Sequence, residues 1–407
     1  MSAAHKDDQV LDLGSEKYSG YHSAILLASV ALTAFAGAAA AEVSFGGDAK
    51  LGYNDNKVLE NGFYWDAGLS AKLSQDLDNG MTVAASLDID LTKTTTGNLG
   101  SMGSSDWVLT ISNADGSLSF GDVATAASTF AFVGDMDGSI NDHTEDYDMN
   151  TTNTTADAAD GGLLAKYTYG DFSIAASTII GTGGTGAVGD SGADGATQVA
   201  AAGSFGGVNV GILSVAKEAA GALDTNSAAV KDATLVSIGG TLAGVDVVVN
   251  SGEVDNVNRS GISLSYAMGD YTFGAYATDL GGTTKTISQV SVAYAAGPLT
   301  AKAYYTDNRG GVNGAYESSV AVAYDMGNGL VINAGVIDGD DKTAGRSTDD
   351  DQYNYIVADY NLGGGASFLV SYADANNDAA LNSSDIDTTL GGYELKAGTT
   401  VQLTFAF

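Results

Sequence analysis

From Phe63 to Ser74 the chain alternates without a break. Phe63, Trp65, Ala67, Leu69, Ala71 and Leu73 fall on one side, and Tyr64, Asp66, Gly68, Ser70, Lys72 and Ser74 on the other. A period of two marks an extended strand with one face against something apolar. After Asp78, Asn79 and Gly80 the pattern resumes, with Met81, Val83, Ala85, Leu87, Ile89 and Leu91 opposite Thr82, Ala84, Ser86, Asp88 and Asp90. Two such runs around an Asn-Gly turn predict a β-hairpin.

The same unit recurs, with short turns at Asp115-Gly116, Gly170-Asp171, Gly206-Gly207, Ala243-Gly244, Gly269-Asp270, Ala296-Gly297, Asn328-Gly329 and Gly363-Gly364. Longer segments rich in Asp, Asn, Gly, Ser and Thr separate the hairpins. Nine short turns, if all are real, imply about twenty strands. Short turns at one end and long polar loops at the other is the arrangement of a transmembrane antiparallel β-barrel, whose strands run apolar-out and polar-in. A soluble antiparallel sheet also alternates, but only a closed barrel spends so many hairpins without leaving an edge unpaired. Aromatic residues bracket the turns, Tyr167, Tyr169 and Phe172 around one and Tyr266 and Tyr271 around another, as interfacial girdles do.

Ala24 to Ala41 reads AILLASVALTAFAGAAAA, an uncharged stretch closing in small residues, which predicts an export signal over residues 1–41 and a mature barrel over 42–407. The segment before it is unusual, because Asp7, Asp8, Asp12 and Glu16 outnumber Lys6 and Lys17. A misassigned start or a long leading region accounts for this. An anchor helix is the alternative, since 18 apolar residues just span a bilayer.

Composition narrows the class. The 407 residues include 55 Gly, 20 Tyr, one Pro and no Cys, and 16% are charged, against roughly 25% in soluble domains. Without cysteine there is no disulfide framework, thiolate metal site or thiol nucleophile. A formal net charge of −34 opposes nucleic-acid binding. It does not signal disorder, because the apolar residues keep register.

Four segments resemble the general-diffusion porins of alphaproteobacteria, a family of trimeric, sixteen-stranded outer-membrane barrels. EVSFGGDAKLGY (Glu42 to Tyr53) resembles the family's first strand, and LSFGDVATAASTFAF (Leu118 to Phe132) its fifth strand leading into the third loop. YDMGNGLVINAGVID (Tyr324 to Asp338) and YNLGGGASFLVSYAD (Tyr360 to Asp374) are similar to its late hairpins. The closing VQLTFAF sets Val401, Leu403, Phe405 and Phe407 on one face, and Leu403, Phe405 and Phe407 resemble the signal read by the barrel-assembly machinery. The resemblance implies sixteen strands where the hairpins suggest about twenty, and that difference stays open at this stage. It also implies a homotrimer in outer-membrane lipid, passing small hydrophilic solutes.

In that family the third loop folds into the lumen as an acidic constriction facing a basic wall. The matching loop, about residues 124–162, carries Asp135, Asp137, Asp142, Glu145, Asp146 and Asp148, which there would favour cations. A solvated acidic loop is the bland alternative. Parity puts Lys50, Lys72, Lys166 and Lys302, with Asp48, Asp66, Asp88 and Asp90, on the polar face of their strands and hence in the lumen. A lysine turned to lipid at mid-membrane would cost about 2–4 kcal/mol. Lys50 also matches the family's basic position.

No cofactor is expected. Asp338, Asp340 and Asp341, or Asp349, Asp350 and Asp351, could offer oxygen ligands to Ca²⁺, although neither has EF-hand spacing. An outer-membrane enzyme is disfavoured, because His143 is the only histidine after the signal and no GxSxG or HExxH occurs. The remaining alternative is a secreted or surface-layer β-structural protein, which would need a fixed repeat that the drifting hairpin spacing does not supply.

Overall fold

Glu42–Asn54 (β1) pairs along its whole length with Gly62–Asp76 (β2), Glu42 opposite Ser74 and Asn54 opposite Gly62. The same antiparallel step repeats around the molecule in a computed structural model that describes residues 42–56, 62–90, 106–129, 162–179, 197–216, 232–340, 350–375 and 386–407. The chain continues through β3 (Thr82–Asp90), β4 (Asp106–Ser112), β5 (Gly116–Gly121), β6 (Gly162–Tyr169), β7 (Phe172–Ile179) and β8 (Thr197–Phe205). Next come β9 (Val208–Ala216), β10 (Ala233–Leu242), β11 (Val245–Val254), β12 (Val257–Met268), β13 (Tyr271–Asp279) and β14 (Ile287–Ala296). Then follow β15 (Leu299–Asp307), β16 (Tyr316–Gly327), β17 (Leu330–Asp340), β18 (Asp350–Gly363) and β19 (Ala366–Ala375). A two-residue pair, β20 (Ile386–Asp387) and β21 (Glu394–Leu395), stands apart, and β22 (Gly398–Ala406) ends the chain.

β22 pairs with β19 on one side and β1 on the other, which closes a ring of 20 strands. Two bonds lock the seam, Gly47 and Phe407 each donating its N–H to the other's carbonyl at 2.9 Å. The count corrects the sixteen strands implied by the family resemblance. All nine short turns join neighbouring strands, so none is structure within a loop. Residues at positive φ make eight of these reversals, as at Ala243 (53°) with Gly244 (86°) and Asn328 (54°) with Gly329 (84°), which suits the twist of a hairpin. A further tight turn, Asp255-Asn256, joins β11 to β12 at the end where the long connections lie.

The faces separate as the alternation predicts. In β10 the outward Val236 and Ile238 are 37% and 50% exposed, while Leu235 and Ser237 on the other face are fully buried. No helix among the described residues is long and apolar enough to cross a membrane, so the crossing is made by strands. Exposed aromatics gather at both ends of the wall. Tyr169, Phe172, Phe205, Tyr271 and Tyr324 lie by the short turns, and Tyr53, Phe63 and Tyr305 by the long connections. Ring pairs such as Tyr53–Phe63 (5.2 Å) and Trp107–Phe120 (5.3 Å) link adjacent strands edge-to-face.

Candidate functional site: the lumen and its inward-folded segments

After β5 the chain turns into the barrel. Ala126–Thr129 forms a single helical turn, α1. Its backbone is bonded to the inner wall, Ala126 N–H to Ser177 Oγ of β7 at 2.7 Å and Ala127 N–H to Gln198 Oε1 of β8 at 3.1 Å. Those acceptors satisfy donors that begin a helix and have no partner within it. Val123, Ala126 and Ala127 bury against inner-wall residues including Leu164, Ala175, Ala200 and Leu213. The inner face is therefore apolar where a segment packs on it, which a uniformly polar lumen would not be.

A second segment enters from the other end of the chain. Residues 386–397 lie on the inner face of β16 to β19, with Ile386, Leu390 and Leu395 buried among Ala321, Ile337, Val357 and Ala373. Polar contacts fix the path. Thr389 N–H donates to the Tyr355 hydroxyl at 3.1 Å, and the Tyr393 hydroxyl donates to Asp359 Oδ2 at 3.2 Å. Asn333 Nδ2 donates to the Leu390 carbonyl, and the Ser319 and Thr389 hydroxyls share a hydrogen bond. Tyr393 is held in the phenol form, its pKa pushed up to about 12 first by burial and then by the Asp359 charge and hydrogen bond. At its exit the segment is tied to the seam, Asn54 Nδ2 donating to the Ala397 carbonyl (3.1 Å) and Thr400 Oγ1 (2.8 Å).

The face that carries Ser177, Ser319 and Asn333 is thus the lumen face, and register carries that assignment around the ring. Lys50 sits opposite Asp66 and Thr404, Lys72 opposite Ser44 and Ser86, Lys166 opposite Ala175 and Lys302 opposite Ala321, all on this face. Asp48, Asp66 and Asp88 share it through their pairings on β1 to β3, and Asp90 ends β3 at the register position opposite Gly68.

The structure does not gather the four lysines. Lys50 and Lys72 are on neighbouring strands, but Lys72 is six residues from Lys50's partner Asp66, about 20 Å along the strand. It lines a lumen groove with Glu42, Ser44, Ser86 and Thr110. Lys166 and Lys302 lie on β6 and β15. Lys50 has company instead, its charged surroundings being Asp66, Glu394, Lys396 and Asp48. Lys396 stands 4.8 Å over the Tyr64 ring, whose hydroxyl donates to Gln402 Oε1 at 2.9 Å.

Asp135, Asp137, Asp142, His143, Glu145, Asp146 and Asp148 lie outside the described residues, as do Asp341 and Asp349 and the whole of 1–41. Asp338, on the outer face of β17, accepts from Gln352 Nε2 at 3.0 Å and the Tyr316 hydroxyl at 3.3 Å. No group of three or more metal-ligating side chains occurs among the described residues.

Several lumen charges escaped parity. Arg259 faces inward opposite Gly252, but its neighbours Asn258 and Ser260 are both polar and give no contrast. Glu317, 1% exposed, accepts from Tyr304 at 2.6 Å and pairs with Arg309 at 3.2 Å, which pins the turn after β15. Leu403 and Phe405 project outward on β22 in register with Leu51 and Ala49 of β1, and the Phe407 ring lies beside Gly47.

A family model described as Gram-negative porin matches residues 28–295, well over half of the chain. Among solved structures, a triple mutant of the Rhodopseudomonas blastica porin is 16% identical with a TM-score of 0.40. Another mutant of that porin is 17% identical with a TM-score of 0.39. Each match covers 90% of this chain and 100% of the other. No curated protein matches. With a closed, membrane-crossing ring of strands around a charged lumen and a family match over most of its length, the chain belongs to the Gram-negative porins and forms a diffusion channel of the bacterial outer membrane.

Proposed function

We infer that this porin passes small hydrophilic solutes and ions passively, with a preference for cations. The observation that carries this is the turn of residues 123–129 into the lumen, bonded to Ser177 and Gln198, directly ahead of a run holding Asp135, Asp137, Asp142, Glu145, Asp146 and Asp148. Carboxylates led into a low-dielectric passage attract cations and repel anions. The formal charge of −34 acts in the same direction. Residues 1–41 serve as the export signal in this proposal, the closing Leu403, Phe405 and Phe407 as the assembly signal, and the functional unit is a homotrimer, as the family resemblance implies.

The test is a planar bilayer holding the purified protein, with the reversal potential recorded across a KCl gradient. Stepwise openings with a cation-selective reversal potential are expected, moving toward zero in a variant carrying Asp135→Asn, Asp137→Asn, Asp142→Asn and Glu145→Gln. Anion preference, or no movement in that variant, would overturn the assignment of selectivity to this loop.

A further inference from the structure

The ring of 20 strands is about a quarter wider than one of sixteen, since barrel diameter grows roughly linearly with strand number. A wider ring is harder for one inward loop to narrow. Among the described residues two segments turn inward, and their placement is regular. α1 rests on β7 and β8. Residues 386–397 rest on β16 to β19. The midpoints of these two supports are ten strands apart in a closed ring of 20, so the segments stand on facing walls.

The second segment is built to stay. Thr388 and Thr389 are fully buried, and Ile386 and Leu395 nearly so. Its turn is closed on itself by Thr388 N–H to the Tyr393 carbonyl (3.0 Å) and Tyr393 N–H to Thr388 Oγ1 (3.0 Å). It reaches deep, since Asn333, which holds Leu390, is the fourth residue of β17 counted from the short-turn end. Two of its charged side chains, Glu394 and Lys396, are delivered to the wall where Lys50 and Asp66 face each other across β1 and β2.

We propose that residues 386–397 form a second, fixed constriction of this channel, and that Glu394 and Lys396, with Lys50 and Asp66, make a mixed-charge contact site that sorts permeating ions and small hydrophilic solutes. This rests on the channel function above but not on the acidic run of the earlier loop. Solutes that reach this wall meet carboxylates and ammonium groups together, so reversing one of those charges changes which ion is retained.

Three variants test it by single-channel recording beside the unaltered protein, with heat-modifiable migration reporting a folded barrel. Replacement of residues 387–396 by a short Gly-Ser linker is expected to raise conductance about twofold. Glu394→Lys is expected to move the reversal potential toward anions and Lys396→Glu toward cations.

The chain contains no cysteine, so Glu394→Cys creates a single thiol. A charged methanethiosulfonate reagent added to the open channel should lower its current stepwise, one step for each subunit, a readout that survives if the linker variant does not fold. Folded variants with unchanged conductance and selectivity, or a Glu394→Cys channel whose current is unaltered by modification of its thiol, would overturn the constriction and leave the channel standing. A silent unaltered protein would overturn both.

Discussion

Tyr393 shows how one side chain can hold a passage in shape. Its hydroxyl donates to Asp359 only while protonated, and burial with the nearby carboxylate lifts its pKa from 10.0 to about 12. A group raised on folding stabilises its contact fully below its ordinary value and loses it as pH climbs through the folded one. Conductance is therefore expected to stay level up to pH 10 and to rise between 10 and 12, and Tyr393→Phe should remove that rise. Ala243, at φ 53° in the turn from β10 to β11, holds a left-handed backbone that suits glycine. Ala243→Gly should stabilise the barrel by roughly 0.5–1 kcal/mol, seen as a higher unfolding midpoint in urea. Phe407→Ala should leave the soluble precursor intact and lower the yield of assembled barrel in membrane fractions. Placement of single residues was readable where parity had contrast. Lys50, flanked by Ala49 and Leu51, could be put on the lumen face from sequence. Arg259 between two polar neighbours could not, and neither could Lys396, which sits outside any barrel strand.

At the scale of elements the hairpins were legible and the inward segments were not. Eight of the nine short turns announce themselves by Gly, or Ala or Asn beside Gly, at positive φ, and the ninth by Asn113, whose side chain accepts from Asp115 and Gly116 N–H, all of it local chemistry. Sixteen strands follow from likeness and about twenty from the turns, and the ring of 20 agrees with the turns. Residues 386–397 read as one more loop, because their partners on β16 to β19 are distant in sequence. A signal was nevertheless present. Ile212-Leu213 in β9, Leu235-Val236 in β10 and Ile356-Val357 in β18 are apolar on both faces, as expected of strands covered on both sides. Such doubly apolar strands in a barrel mark where something rests on the inner wall. Leu390→Ala should cost about 2–4 kcal/mol of docking for residues 386–397. Protease should then cut faster within 386–397 while the barrel still migrates as folded, since no ladder bond of the ring has been touched.

Across the whole molecule, alternation turns one face of each strand outward and the other to the lumen, and the difference can be measured at one pair of adjacent positions. Leu264 is outward and 37% exposed, and Ser265 is its inward neighbour opposite Asp246 and Gly274. Leu264→Lys should destabilise the folded barrel by about 2–4 kcal/mol, whereas Ser265→Lys should leave stability nearly unchanged and alter only the current.

β1 and β22 are the first and last strands of the ring, so the contacts between them span the longest stretch of chain in the wall, and contacts of that sort form late. Residues 386–397 are continuous with β22 and are tied to Asn54 of β1, which makes their seating part of the same late event. A weakened seam should therefore show itself in time rather than in final strength, with substitutions at Asn54 slowing the appearance of heat-modifiable barrel during refolding in detergent more than equivalent changes in β10.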